Sequence, residues 1–217
     1  MLGGLALFKK NYSRPRSVLV SRLWRTMATK VRKVTTVACL SCALIVISSV
    51  LPSHAGKGHA LLDNPAPEFS HRAQSDWFNS QPLSLKDLRG QAVLVEFWTY
   101  GCHNCFRSIA RLKKLQERFA DRPVHIVAVH TPEFDHERDH AKIAAKIEEF
   151  GLTYPVMVDN DYSYWKAMRN RFWPTFFLID KYGVVRNVYE THVGDSQSRK
   201  MATSLSRLAK EDYGEPE

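Results

Sequence analysis

Two cysteines, Cys102 and Cys105, stand three positions apart in the segment VEFWTYGCHNCFR. They follow an apolar run that contains one carboxylate, Glu96, and they precede a segment with apolar residues at helical spacing. Paired thiols at this spacing are found in metal sites, in structural disulfides and in redox-active dithiols. The elements around the pair decide between these three kinds of site.

The surrounding segments predict alternating strands and helices. Apolar, β-branched runs predict buried strands at AVLVEFW, VHIVAVH, YPVMVD and TFFLID, with VVRNVYE as the antiparallel partner of the last. Apolar spacing predicts helices over residues 106–119, 135–151 (ending at Gly151), 161–172 and 196–211. This order predicts an α/β domain with a central sheet and helices on both faces.

A C-x-x-C between a buried strand and a helix predicts redox chemistry. It places Cys102 at the helix N-terminus, where unpaired N–H groups and the macrodipole favour an anion. We therefore expect Cys102 to be the attacking thiolate and Cys105 the more buried resolving thiol. An isolated carboxylate in a buried strand should have a raised pKa, so Glu96 is the expected proton acceptor for Cys105. The alternative is that the Glu96 side chain lies at a sheet edge in solvent.

Three segments resemble the thioredoxin superfamily, and specifically the exported TlpA/ResA-like and DipZ-like thiol–disulfide oxidoreductases: LRGQAVLVEFWTYGCHNC, YPVMVDNDYSYWKAMRNRFWPTFFLIDKYGVV and HVGD. The resemblance covers roughly residues 83–196. It implies a thioredoxin-like three-layer fold, in which helices flank a central mixed sheet and residues 131–172 supply an inserted helix and strand. It also implies the same three roles for Cys102, Cys105 and Glu96.

The resemblance further makes Pro174 a cis-proline packed against the disulfide, with the backbone of Trp173 free to pair with a substrate strand. Trp98 and Trp173 are expected to flank the site. His103 and Asn104 between the cysteines differ from the usual dipeptides of the family, which leaves the direction of electron flow open. A protonated His103 would stabilise the thiolate and make the protein more oxidising.

Three other functions are alternatives. A copper or zinc module would use the thiolates with histidines, of which the predicted helix places His136 and His140 on one face; the other candidates are His103 and His130. A peroxiredoxin-like peroxidase is suggested by Thr99, three residues before Cys102, but Val95 stands where that class has proline. A purely structural disulfide would close too short a loop to restrict the unfolded chain much. The redox prediction requires no cofactor and no resident metal.

The net charge of +9 belongs to the first quarter of the chain. Residues 1–55 contain nine of the 31 Lys and Arg and no Asp or Glu, and the rest of the chain has as many acidic as basic residues. A basic surface for nucleic acid is therefore not predicted for the domain.

Residues 1–60 have the pattern of an export leader. Basic residues precede the apolar run 34–51, and small residues follow it. A start at Met27 would give a signal of ordinary length, and either cleavage or retention as a membrane anchor fits the pattern. Cys39 and Cys42 lie inside the apolar run, so the C-x-x-C pair of the domain has no partner cysteines.

These features predict a leader over residues 1–60 and one thioredoxin-like domain over residues 61–217. The domain is expected in the periplasm as a monomer, exchanging electrons with protein thiols or disulfides and with a membrane electron donor.

Overall fold

The computed structural model describes residues 59–210, in which six strands form one sheet. The strands are β1 (Trp77–Phe78), β2 (Ala92–Trp98), β3 (Val124–His130), β4 (Val156–Val158), β5 (Thr175–Ile179) and β6 (Val185–Tyr189). The α-helices are α1 (His103–Arg118), α2 (His140–Phe150), α3 (Ser163–Ala167) and α4 (Asp195–Leu208). All strands and helices expected from the apolar patterns are present, although two helices are much shorter than predicted.

The sheet is mixed, with the strand order β1-β4-β3-β2-β5-β6. β2, β3 and β4 run parallel, whereas β1, β5 and β6 each pair antiparallel with a neighbour. β2 is therefore central, and all seven of its residues are buried. Because both faces of β2 are covered, its sequence is a continuous apolar run that only Glu96 interrupts.

Helices and loops cover the two faces of the sheet. On one face, Leu94 and Trp98 of β2 pack with apolar side chains of α1, α2 and α4. On the other face, Val93, Val95 and Phe97 pack with α3 and with the irregular segment that precedes β2. The predicted three-layer α/β fold, with α2 and β4 between β3 and β5, is confirmed.

The predicted helix over residues 135–151 is wrong in its first part. Residues Asp135–Arg138 form a 3₁₀ turn, and α2 begins only at His140. Asp139 has an extended backbone and its carboxylate accepts the N–H groups of Ala141 and Lys142, so it caps α2 and separates the two elements. The expected ending at Gly151, which has a left-handed φ of 60°, is confirmed.

The predicted helix over residues 161–172 contains only one helical turn, α3. Arg169 adopts a left-handed φ of 51°, which a continuing α-helix cannot accommodate. β1 was not predicted, because two residues of strand in a polar, proline-containing segment give no periodic signal.

The predicted leader and its two cysteines lie outside the described residues. Within residues 59–210, no helix is long and apolar enough to cross a membrane.

Candidate active site

The loop between β2 and α1 places Cys102 at the N-terminus of α1. The Cys102 N–H donates to the carbonyl of Thr99 at 3.2 Å, which turns the chain after β2. Cys102 is the N-cap residue, and its Sγ accepts the N–H of Cys105 at 3.1 Å. An anionic sulfur at this position would be stabilised by the helix N–H groups and by the helix dipole.

Cys102 and Cys105 form a disulfide, with their Cα atoms 5.2 Å apart. Cys105 is fully buried, whereas Cys102 is partly exposed. A partner sulfur therefore reaches Cys102 from solvent but not Cys105. The mechanism in which the first thiol attacks and the second resolves requires this difference in exposure between Cys102 and Cys105.

The Glu96 side chain lies on the face of the sheet that packs against Cys105. Leu94 and Trp98, its neighbours on the same face of β2, pack in the same apolar core as Cys105, so the Glu96 side chain points to that face. Only 1% of Glu96 is exposed, which excludes a position in solvent at a sheet edge. Burial raises the pKa of Glu96 from 4.5 to about 8, while the Tyr154 hydroxyl acts in the opposite direction.

Tyr154 is a site residue that the sequence analysis missed. It precedes β4, is 2% exposed and belongs to the same apolar core as Cys105. Neither its hydroxyl nor Glu96 Oε1 makes a hydrogen bond of normal geometry within the described residues. Burial, followed by the charge of Glu96, raises the pKa of Tyr154 well above its ordinary value. A tyrosine beside a short strand carries no sequence signal that would pair it with a carboxylate on β2.

Trp173, in the segment before β5, packs against the same apolar core as Cys102, and the expected contact of Pro174 with the disulfide stays a prediction. The Trp173–Pro174 peptide bond is cis, as the resemblance implies. The Trp173 indole is partly buried, contacts the Trp165 ring with centroids 4.2 Å apart and planes tilted by 31°, and donates its Nε1–H to the Thr131 carbonyl at 2.9 Å. The position of the Trp173 ring is thus fixed from two sides.

The matching family model, which is described as the AhpC/TSA family, covers residues 62–188. This span is more than half of the chain. The chain belongs to the AhpC/TSA family. Protein DipZ of Mycobacterium bovis is 34% identical over 139 residues, which are 63% of this chain and 20% of DipZ. The chain thus spans about a fifth of that relative's length.

Two further relatives of this AhpC/TSA family chain are matched over nearly their whole length. Thiol-disulfide oxidoreductase YkuV of Bacillus subtilis is 25% identical over 150 residues, which are 69% of this chain and 97% of YkuV. The crystal structure of a thiol-disulfide isomerase from Corynebacterium glutamicum has 26% identity and a TM-score of 0.55, covering 68% of this chain and 98% of that chain. The resemblance to DipZ-like and thioredoxin-like proteins is confirmed, and the domain is of the thiol–disulfide oxidoreductase class.

The remaining predicted site residues differ in their exposure. His103 and Asn104, the first residues of α1, are exposed beside the disulfide. Trp98 is 1% exposed and contacts His130 and Phe150 in the core. Trp98 packs in the same apolar core as Cys105, and its expected role in flanking the site stays a prediction.

The metal alternative is not supported by the positions of its residues. His136 belongs to the 3₁₀ turn and His140 to α2, so they do not share a helix face as predicted. Burial lowers the pKa of His130 to about 4, and its ring stacks on Tyr100. Among residues 59–210, the His, Cys, Asp and Glu atoms that lie close enough together for one ion belong to His71, Asp159 and Asp161. None of these three was a predicted ligand.

Thr99, on which the peroxidase alternative rests, is 1% exposed. Its hydroxyl lies 3.3 Å from His130 Nε2, inside the domain. The contact with His130 gives the Thr99 side chain a structural role in the interior.

A Tyr154→Phe variant is expected to raise the pKa of Glu96 above about 8, because the hydroxyl that favours the carboxylate is removed. The measurement is the pH midpoint of the carboxyl C=O infrared band of the oxidised protein. Tyr164→Phe is the matched control, since Tyr164 is also fully buried, its hydroxyl has no hydrogen-bond partner among residues 59–210, and it packs on the other face of the sheet. An unchanged midpoint in Tyr154→Phe would show that the two groups are independent.

Proposed function

We propose that this protein is an exported thiol–disulfide oxidoreductase that reduces disulfides in other proteins. The observation that carries the proposal is the arrangement of three groups: a partly exposed Cys102 at a helix N-terminus, a buried Cys105 bonded to it, and the buried acid Glu96 on the same face of the sheet.

The reaction proceeds in two exchange steps. The thiolate of reduced Cys102 attacks one sulfur of the partner's disulfide, which forms a mixed disulfide and releases one partner thiolate. The thiolate of Cys105 then attacks Cys102 Sγ, which re-forms the Cys102–Cys105 disulfide and releases the second partner thiolate. Two electrons pass from the enzyme to the partner, and a separate reductant must return them.

Glu96 accepts the proton of Cys105 before the second step. With a pKa raised to about 8, the Glu96 carboxylate is a stronger base than that of an ordinary glutamate, which favours transfer of the Cys105 proton to it. The pKa of Glu96 has this value because β2 is the central strand, where burial penalises the charged carboxylate.

The cis-proline loop supplies the binding surface for the partner. The backbone of Trp173, before Pro174, pairs with an extended segment of the partner, because main-chain groups at the edge of a site recognise a strand whatever its side chains. The partly buried rings of Trp173 and Trp165 support this backbone from below. Exposed His103 and Asn104 border the disulfide and adjust its potential.

The cellular setting extends the proposal. The leader pattern of residues 1–60 supports a periplasmic domain, cleaved or anchored, and the lack of a charge excess in the rest of the chain supports a protein partner. The domain acts as a monomer and receives electrons from a membrane protein. Apocytochrome cysteines are a candidate substrate, by likeness to TlpA/ResA-like reductases.

The reduction potential of the Cys102–Cys105 couple tests the direction of electron flow. We expect a value near about −270 mV, the thioredoxin end of the range, measured by equilibration of the full chain with dithiothreitol buffers. We also expect the protein to reduce insulin disulfides with dithiothreitol as electron source. A potential near about −120 mV would instead identify a disulfide donor, with protonated His103 as the first candidate cause. Consumption of a hydroperoxide in place of insulin disulfides would support the peroxidase alternative.

A further inference from the structure

The segment of residues 131–139, between β3 and α2, contacts two loops, the one that contains the cis-proline Pro174 and the one that precedes Cys102. On one side, its Thr131 carbonyl accepts the Trp173 indole N–H at 2.9 Å. On the other side, its His136 carbonyl accepts the Tyr100 hydroxyl at 2.7 Å. This segment, which we call the bridging segment, therefore connects the cis-proline loop with the loop that precedes Cys102.

Glu137 is the buried charge of the bridging segment, with 0% of the residue exposed. Its Oε2 accepts the N–H groups of Glu133 and Phe134 at 2.6 and 3.0 Å, which closes the 3₁₀ turn. Its Oε1 makes a hydrogen bond outside the turn, where it accepts the Gly101 N–H at 3.1 Å. The first two bonds are ordinary capping of a turn, but the third holds the residue directly before Cys102.

The absence of a side chain at Gly101 leaves room for this carboxylate. A Cβ atom at position 101 would overlap with Glu137 Oε1, so only glycine lets the carboxylate approach the backbone here. The glycine before Cys102 and the acid at position 137 thus form one contact, although they are 36 residues apart in the chain.

We propose that Glu137 is a positioning residue that fixes the Cys102 loop through Gly101 and whose negative charge disfavours the Cys102 thiolate, making the dithiol a stronger reductant. The thiolate is a feature of the reduced form only, so a nearby negative charge destabilises that form relative to the disulfide. The inference rests on the proposed reductase function, and it names a physical cause for the direction of electron flow.

The charge of Glu137 shifts the pKa values of neighbouring side chains. After burial, it is the largest cause that raises the pKa of Tyr100, and it acts against the burial that lowers the pKa of His130. Several other titratable groups lie around Glu137 and Cys102: His103 next to Cys102 on α1, His130 on β3, Tyr100 in the loop, Asp139 before α2, His140 and Lys146 on α2, and Tyr162 before α3. A substitution at Glu137 leaves all of them in place.

A Glu137→Gln variant is expected to make the disulfide about tenfold easier to reduce at pH 9, because the charge that disfavours the Cys102 thiolate is removed. The measured quantity is the equilibrium constant with dithiothreitol, and tenfold corresponds to about 30 mV for a two-electron couple. The ratio between variant and wild type should become smaller as the pH is lowered towards 6, because protonation of the thiol removes the charge that Glu137 repels. A merely structural role of Glu137 would shift the constant equally at both pH values.

Glu148→Gln is the matched control, because Glu148 is an exposed acid on α2 and the change in net charge is the same. It should behave as wild type at both pH values. If Glu137→Gln does not fold, Glu137→Asp keeps the charge but withdraws the carboxylate from Gly101, and a smaller shift of the same sign at pH 9 is expected. A folded variant with a wild-type constant at pH 9 would overturn the inference.

The wild-type protein supplies an independent measurement. The Gly101 amide should exchange with solvent at least about a hundredfold more slowly than an unprotected amide, in both the oxidised and the reduced state. Exchange at the unprotected rate would show that the hydrogen bond between the Gly101 N–H and Glu137 does not form in solution, which would overturn the inference. Neither measurement requires a protein substrate, so a protein that fails to reduce insulin but shows both effects would contradict the proposed function and leave the role of Glu137 standing.

Discussion

A Cys102→Ser variant loses all insulin-reducing activity, because a serine hydroxyl cannot form the mixed disulfide with the partner. The physical reason lies in the exposure of the two sulfurs: Cys105 is fully buried and cannot take over the attack. The measurement is the rate of insulin disulfide reduction with dithiothreitol as electron source, corrected for the rate with dithiothreitol alone.

The companion variant Cys105→Ser separates the two steps of the reaction. It retains the attacking Cys102 but cannot resolve the mixed disulfide, so a covalent adduct with the partner accumulates and is visible by non-reducing electrophoresis and mass spectrometry. The matched control is the same Cys→Ser change at Cys39 and Cys42, which should preserve activity. Residual reduction of insulin by Cys102→Ser, above the dithiothreitol background, would contradict the proposed mechanism.

Glu96 is expected to make the stability of the oxidised protein fall as the pH rises. The folded-state pKa of Glu96 is about 8 against 4.5 for a free carboxyl, so between these values the folded state binds the extra proton and stability declines with pH. His130, with a pKa lowered from 6.5 to about 4, has the opposite effect between those two values, because there the unfolded state binds the extra proton. The two effects oppose each other below pH 6.5.

Above pH 6.5 the effect of Glu96 is the larger one. The free energy of unfolding should then fall by about 1 kcal/mol up to pH 8, because the slope of about 1.36 kcal/mol per pH unit decreases as the pH approaches the pKa of Glu96. Denaturant unfolding of the oxidised wild type across this range measures the slope, and Glu96→Gln should abolish it. Glu117→Gln, an exposed acid on α1, is the control and should keep the wild-type slope. A wild type whose stability does not change between pH 6.5 and 8 would contradict the raised pKa.

The same Glu96→Gln variant should slow the second exchange step. The amide cannot accept the Cys105 proton, and loss of a positioned proton acceptor lowers a rate by about a hundredfold or more. Stopped-flow measurement of the decay of the mixed disulfide isolates this step. Attack by Cys102 should proceed at close to the wild-type rate, since Glu96 has no part in it.

The sequence by itself determined the local features around the dithiol. A continuous apolar run, a C-x-x-C and a helical pattern in direct succession place Cys102 at a helix N-terminus, because each feature depends only on neighbouring residues. The carboxylate of Glu96 was recognisable for the same reason, since it interrupts a run in which every neighbour is buried. The α/β class followed from the alternation of the two periodicities.

Only the tertiary structure decided which distant residues meet at the site. Apolar periodicity reports which face of an element is buried but not what it faces, so neither Tyr154 beside Glu96 nor Glu137 on Gly101 carried a signal. The split of the helix predicted over residues 135–151 has the same origin. The Glu137 carboxylate closes the 3₁₀ turn, and the Asp139 carboxylate caps α2. The turn forms at a position from which Glu137 contacts the loop before Cys102. These contacts depend on strand order, which places β3 and β2 side by side and is a property of the folded chain as a whole.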